Sequence, residues 1–216
     1  MSEFAAILTA GIMTVRGGPS PHGLRSFLRE RTSESHRHLD ASFASFGDAP
    51  MARDYHRFIR MNLVAHRALA AFLSGSSSSV TDELAASIDA DLARLESDAV
   101  SMDLDCPARA TFHLGTFEAP EAAGIGYVLD GSKLGAKFIH RKLGKASLLR
   151  PEGSLTASFL AAAFLRPGAI GQTPADLSED NSTRERAASA ALATFALFAR
   201  SIDLAAAVRG EEQPSQ

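Results

Sequence analysis

Gly124-Ile-Gly-Tyr-Val-Leu-Asp-Gly-Ser-Lys-Leu-Gly135 has the apolar content of a core helix, yet it carries glycine at 124, 126, 131 and 135. Each glycine in a helix interior costs about 1 kcal/mol relative to alanine. A helix that keeps several of them has a use for bare backbone, where something must come close. Steps of three and four residues place Gly124, Tyr127, Gly131 and Gly135 on one stripe. That stripe reads as a shallow trough with an aromatic at one end, shaped for a flat ligand.

Outward from this segment, Pro120 and Glu121 suit the start of its helix and Gly144 its end. On the N-terminal side, Leu24 to about Ser45 reads as a first helix. Pro50 breaks the chain, and Arg53 to about Ser74 reads as a second. Ser74-Gly-Ser-Ser-Ser-Ser79 is a connector, and Thr81 or Asp82 caps a third helix to about Asp98. Residues 101–120 are ambiguous, with a short helix predicted near 107–116. On the C-terminal side a helix is predicted near 154–165, stopped by Pro167-Gly168. A loop follows over 167–180, and a last helix runs from about Ser182 to Val208. The pattern predicts an all-α, compact multi-helix bundle. Residues 1–22 are expected to form a flexible arm, 23–208 a single helical domain and 209–216 a disordered tail. Met13 is an alternative start of translation.

The 216 residues suffice for one domain with a sizeable core, and 45% are hydrophobic. Alanine and leucine dominate, tryptophan is absent, and alternating Val/Ile/Thr runs are nearly absent. A net charge of −3 gives no strong field toward nucleic acid or an anionic membrane. The single cysteine, Cys106, excludes an internal disulfide, a covalent C-x-x-C-H heme attachment and a Cys-rich zinc site. The apolar run Ala5 to Met13 is too short to span a bilayer and lacks a basic flank before it. These features suit the cytoplasm.

Leu28, Thr32, His36, Leu39 and Phe43 form one face of the first helix. His36 therefore sits in an apolar stripe facing the core, while His38, about 200° around the helix, points outward. A neutral imidazole held in such a stripe is a good iron ligand. On this helix alone, a structural histidine hydrogen-bonded in the core is the commoner reading. Arg25 and Arg29 stand 11 and 7 residues before His36, near the same face. A cation at the mouth of an apolar pocket holds a ligand carboxylate, and the Tyr127 phenol is placed to share it. Solvated arginines and a packed core tyrosine are the plain alternatives.

Two segments resemble the bacterial, biliverdin-producing heme oxygenase family. In Leu28-Arg-Glu-Arg-Thr-Ser-Glu-Ser-His36-Arg-His-Leu-Asp40, the spacing of Leu-Arg, Thr, His and Leu-Asp is the family's. Tyr127-Val-Leu-Asp-Gly-Ser-Lys-Leu-Gly-Ala136 is similar to the family's Tyr-Val-Leu-Glu-Gly-Ser-x-Leu-Gly-Gly/Ala, and is the more specific of the two. Asp91-Leu-Ala-Arg-Leu95 and Ala193-Thr-Phe-Ala-Leu-Phe198 are weaker echoes, and the likeness spans about residues 24–204.

The resemblance implies a bundle of the heme oxygenase type with heme, both substrate and cofactor, held between two helices. His36 maps onto the proximal iron ligand. Gly131 and Gly135 map onto the catalytic distal glycines, and Arg29 and Tyr127 onto heme propionate contacts. The implied reaction cleaves heme with dioxygen to biliverdin, carbon monoxide and ferrous iron. No flavin or nicotinamide fingerprint is present, so electrons are expected from a ferredoxin or a separate reductase, and a bacterial phytochrome is an implied recipient of the pigment. The chain departs from the family at Asp130, where Glu is usual. Lys133 fills a variable position, almost opposite Gly131 and so expected to be solvated. After Pro151 the family's aromatic-Gly pair and Trp-bearing helix are missing, and the last helix lacks its usual Trp. Those gaps leave the far pocket wall, and the ring position attacked, undefined. The rival readings are a heme-binding sensor, carrier or phytochrome accessory without turnover, and a helical interaction module without heme. A diiron oxygenase lacks support, because Glu-x-x-His pairs on two helices are absent.

Overall fold

The computed structural model describes residues 23–43, 51–75, 79–151, 153–165 and 180–207. The predicted arm, the tail, Pro50 and the 167–179 loop lie outside the described residues. Among the described residues the protein is all-helical: α1 (Leu24–Ala41), α2 (Met51–Ser74), α3 (Ser79–Ser101), α4 (Ala119–Lys145), α5 (Ser158–Ala162) and α6 (Asn181–Ala207). α6 runs through the middle of the bundle and packs on α1, α2 and α4; α3 lies on α2, and α5 lies against α3 and α4. α1 leans on α6 far more than on α4.

The N-terminal half of α6 comes close to its neighbours because its buried face there is small. Ala187, Ala188, Ala190 and Ala191 are buried and let neighbouring backbones approach. Its buried hydroxyls are satisfied locally: Thr194 donates to the Ala190 carbonyl and Ser201 to that of Leu197, each at 2.8 Å. α6 is also long and apolar enough to cross a membrane, but more than half of its apolar window is buried inside the bundle.

Gly124 explains the tight α4–α6 contact. A Cβ there would run into the Ala187 carbonyl. This corrects the trough, because Gly124 serves a helix crossing while Gly131 lies farther along the same stripe against α1. One stripe meets two partners because the helices cross.

The start of α4 is anchored by charge. The Glu118 N–H donates to Glu121 Oε2 at 3.0 Å, half of a capping box. The Arg186 guanidinium of α6 grips Glu121 with two bonds of 2.7 and 2.8 Å and reaches Glu118 at 2.7 Å. Burial pushes the Glu121 carboxyl up, but the Arg186 bonds and backbone N–H groups outweigh it and hold it below its usual range.

Two predicted elements change. Residues 104–114 hold no helix: Arg60 and Arg67 bind the carbonyls of Asp105 and Cys106 at 2.9 Å, and Phe112 and Phe117 meet the Phe72 ring edge-on. The 154–165 helix shrinks to α5, because its predicted first turn is committed elsewhere. Leu155 bonds the backbone of Leu148 and Arg150, and the Thr156 carbonyl accepts from the Tyr55 hydroxyl at 2.8 Å. The buried Asp98 carboxylate then caps α5, accepting from the N–H groups of Ser158 and Phe159 at 2.9 Å each.

Candidate functional site

α1 and α4 climb one seam in step. Tyr127 sits near Arg25, Arg29 and Thr32; Gly131 faces His36; Gly135 shares a cavity wall with Leu39 and Phe43. The distance that defines the site is from His36 Nε2 to where a Gly131 Cβ would be, 3.8 Å. The imidazole therefore points across the seam at α4 main chain rather than into solvent.

His36 is half-buried and its ring leans on Phe195, with centroids 4.8 Å apart and planes 58° apart. Burial lowers its pKa below the usual 6.5, so at neutral pH the ring carries no charge and one nitrogen keeps a lone pair. His38 is exposed, as the helical spacing predicts. The cavity beside His36 measures about 60 Å³. α1 gives it Leu39, Asp40 and Phe43 just beyond its end; α2 gives Phe58, Met61 and Asn62; α4 gives Val128, Ser132 and Gly135; α6 gives Phe195 and Phe198. The far wall left undefined by the missing tryptophans is thus phenylalanine, with Phe195 and Phe198 three residues apart on one face of α6.

Asp40 was not singled out by sequence reasoning, although it closes the Leu39-Asp40 pair. It lines the cavity one turn beyond His36, and burial pushes its carboxyl up to about 6.

At the other end of the seam, the Tyr127 hydroxyl is buried without a hydrogen-bond partner, although Thr32 lies beside it. The Thr32 hydroxyl already donates to the Leu28 carbonyl at 2.8 Å. Burial raises the Tyr127 pKa, while Thr32 and the positive charges of Arg25 and Arg29 pull it down. Arg29 is half-buried and Arg25 exposed, and neither has an ion-pair partner among the described residues. An orphan hydroxyl beside two uncompensated cations is a place for an anion.

No family model matches the chain, and no curated protein or solved structure matches it. The function therefore rests on the residues themselves. Among the described residues, no cluster of three or more His, Cys, Asp or Glu side chains is placed to hold a metal ion.

Lys133 corrects its prediction. Its side chain is only 18% exposed and its ammonium lies 2.9 Å from the buried Asp130 carboxylate, one turn back on α4. A buried carboxylate draws the nearest flexible cation out of solvent. His66 is a structural histidine: its Nδ1 lies 2.9 Å from the Asn62 carbonyl, which places the proton on that nitrogen, and its ring meets Phe159 and Phe198 edge-on.

A heme-sized ligand fits the donor set but not the gap as it stands. The neutral imidazole, the glycine opposite, the phenylalanine walls and the cationic corner suit an iron-bearing apolar plate with carboxylates on its edge. A cavity of about 60 Å³ is far below the several hundred that such a ligand needs. To take such a ligand the seam would have to widen, and α1 and α4 are only lightly packed there.

Proposed function

We propose that this chain is a heme oxygenase of the bacterial, biliverdin-producing type, receiving electrons from an external carrier. The observation that carries the reading is the His36 Nε2 facing Gly131 across a lightly packed seam. The orphaned Tyr127 hydroxyl near Arg25 and Arg29, which have no ion-pair partner among the described residues, supports it at the far end of the same seam.

When bound, heme supplies the iron that activates dioxygen and is itself the molecule cleaved, to biliverdin, carbon monoxide and ferrous iron. His36 would hold the iron through Nε2, kept neutral by burial and held in direction by Phe195. Gly131 and Gly135 put no side chain on this stripe of α4, so that main chain would face the ligand across from His36. Arg29, Arg25 and Tyr127 would bind the carboxylate edge. Phe58, Phe195 and Phe198 exclude bulk water from the closed end.

The experiment is to add heme and ascorbate in air and follow absorption and released gas. Loss of the heme band with gain of bile pigment and carbon monoxide is the expected result. A stable heme band without carbon monoxide would identify a binding protein without turnover, and no heme band at all would refute both.

A further inference from the structure

α3 and α4 carry the same short-range ion pair. Asp91 and Arg94 meet at 3.0 Å on α3, and Asp130 and Lys133 at 2.9 Å on α4, in each case with the acid three residues before the base. Both cations line one cavity of about 280 Å³ bounded by α3, α4 and α5, much larger than the space beside His36. Ser132 alone lines both cavities, so this one is a separate space on an adjoining face of α4.

Its polar wall has donors to spare. The Arg94 Nη1 donates to Asp91 Oδ1 and to the Ala90 carbonyl, each at 3.0 Å, while Nε and Nη2 have no partner among the described residues. Lys133 donates to Asp130 alone among them, which leaves two of its three N–H groups. Its side chain is nonetheless drawn in from solvent, at 18% exposure. The α5 side is apolar, with Phe159 and Ala162 and, just past the helix, Leu165. Spare cationic donors on one side and hydrocarbon on the other call for a ligand that brings acceptors and an apolar body. The Asp91 carboxylate in the same wall repels a second negative charge on that ligand. The volume lies just under the usual range for drug-sized ligands.

We infer that this cavity binds a small monocarboxylate with a short apolar body, its carboxylate on Arg94 and Lys133 and its hydrocarbon against α5. The inference goes beyond the function proposed above and does not rest on it.

The probe is octanoate, titrated calorimetrically into the full chain without heme. The same hydrocarbon without the negative charge is supplied by 1-octanol and octylammonium, and the anion without hydrocarbon by inorganic phosphate. Octanoate is expected to bind at one saturable site and to raise Tm. The three controls are expected to bind at least about tenfold more weakly, the size of effect a lost charge-assisted hydrogen bond brings. Arg94→Gln is expected to weaken octanoate about tenfold for the same reason. Its own ion pair is partly exposed and contributes little to folding, so helix content by circular dichroism should be kept. Ala162→Phe, which fills the apolar side and keeps every charge, is expected to weaken octanoate by a similar factor. No octanoate binding, or equal binding in the parent and both folded variants, would overturn the inference. Tighter binding of phosphate or octylammonium than of octanoate would do so too. Loss of binding in Arg29→Gln with Arg94→Gln unaffected would put the probe at the Tyr127 corner and likewise overturn it. Heme takes no part in these readouts, so this inference and the proposed function fail separately.

Discussion

Asp40 and His36 stand one turn apart on α1, and burial drives both toward the neutral form. For Asp40 the sign is unfavourable at neutral pH. Its carboxyl is raised from 3.8 to about 6, so between those values the folded chain holds more protons than the unfolded one, and stability falls as pH rises through that window. The shift corresponds to about 3 kcal/mol if taken in full, and partial exposure screens it to about 1 kcal/mol. Asp40→Asn is therefore expected to flatten the pH dependence between pH 4 and 7 and to be about 1 kcal/mol more stable than the parent at pH 7, read by urea melts across pH. Equal slopes would show that Asp40 is solvated. Tyr127→Phe is expected to leave the heme-free stability within about 0.5 kcal/mol, because its hydroxyl has no partner to lose, while weakening heme binding. The side chains of this site differ in how far the sequence announces them. The inward direction of His36 was legible from its place in the Leu28–Phe43 stripe, whereas its reading as a ligand came from the family resemblance. The orphan state of Tyr127 and the raised pKa of Asp40 depend on what other helices place beside them.

The glycines of α4 divide by partner, and the division is testable. Gly124→Ala has no room, since the new Cβ meets an α6 carbonyl, and separating two packed helices is expected to cost about 2–3 kcal/mol. Gly131→Ala meets only His36 Nε2 at an ordinary 3.8 Å. It gains helix propensity, so the heme-free protein should be stabilised by about 0.5–1 kcal/mol while heme binding or oxygen access declines. Thermal melts with and without heme separate the two outcomes; a Gly131→Ala chain that turns over heme normally would argue against the distal role. At this scale the long helices were legible because periodicity and capping residues are local. α5 was over-extended and the 107–116 helix mistaken because distant groups claimed the backbone: Asp98 and Tyr55 in the first case, Arg60 and Arg67 in the second. Gly124 was misassigned for a related reason, since spacing gives the face of a helix but not which neighbour crosses it.

Across the whole molecule, α6 ties α1, α2 and α4 together, and the α1–α4 seam is the lightly packed join. With that distribution, a ring entering between α1 and α4, as proposed, would leave the alanine-lined α4–α6 contact intact. The basic C-terminal half of α4 sets the outer face of the same helix apart from an otherwise acidic chain. The class of fold was legible from composition, whereas the width of the cleft was not, because a gap is a property of several helices at once. The central claim is that His36 Nε2 is the iron ligand across from Gly131. It is tested most directly by titrating heme into the parent and into His36→Ala, then adding free imidazole to the variant and recording the Soret region. A histidine-ligated spectrum in the parent, its loss in the variant and its return with imidazole are the predicted results; identical spectra for the two chains before imidazole would contradict the claim.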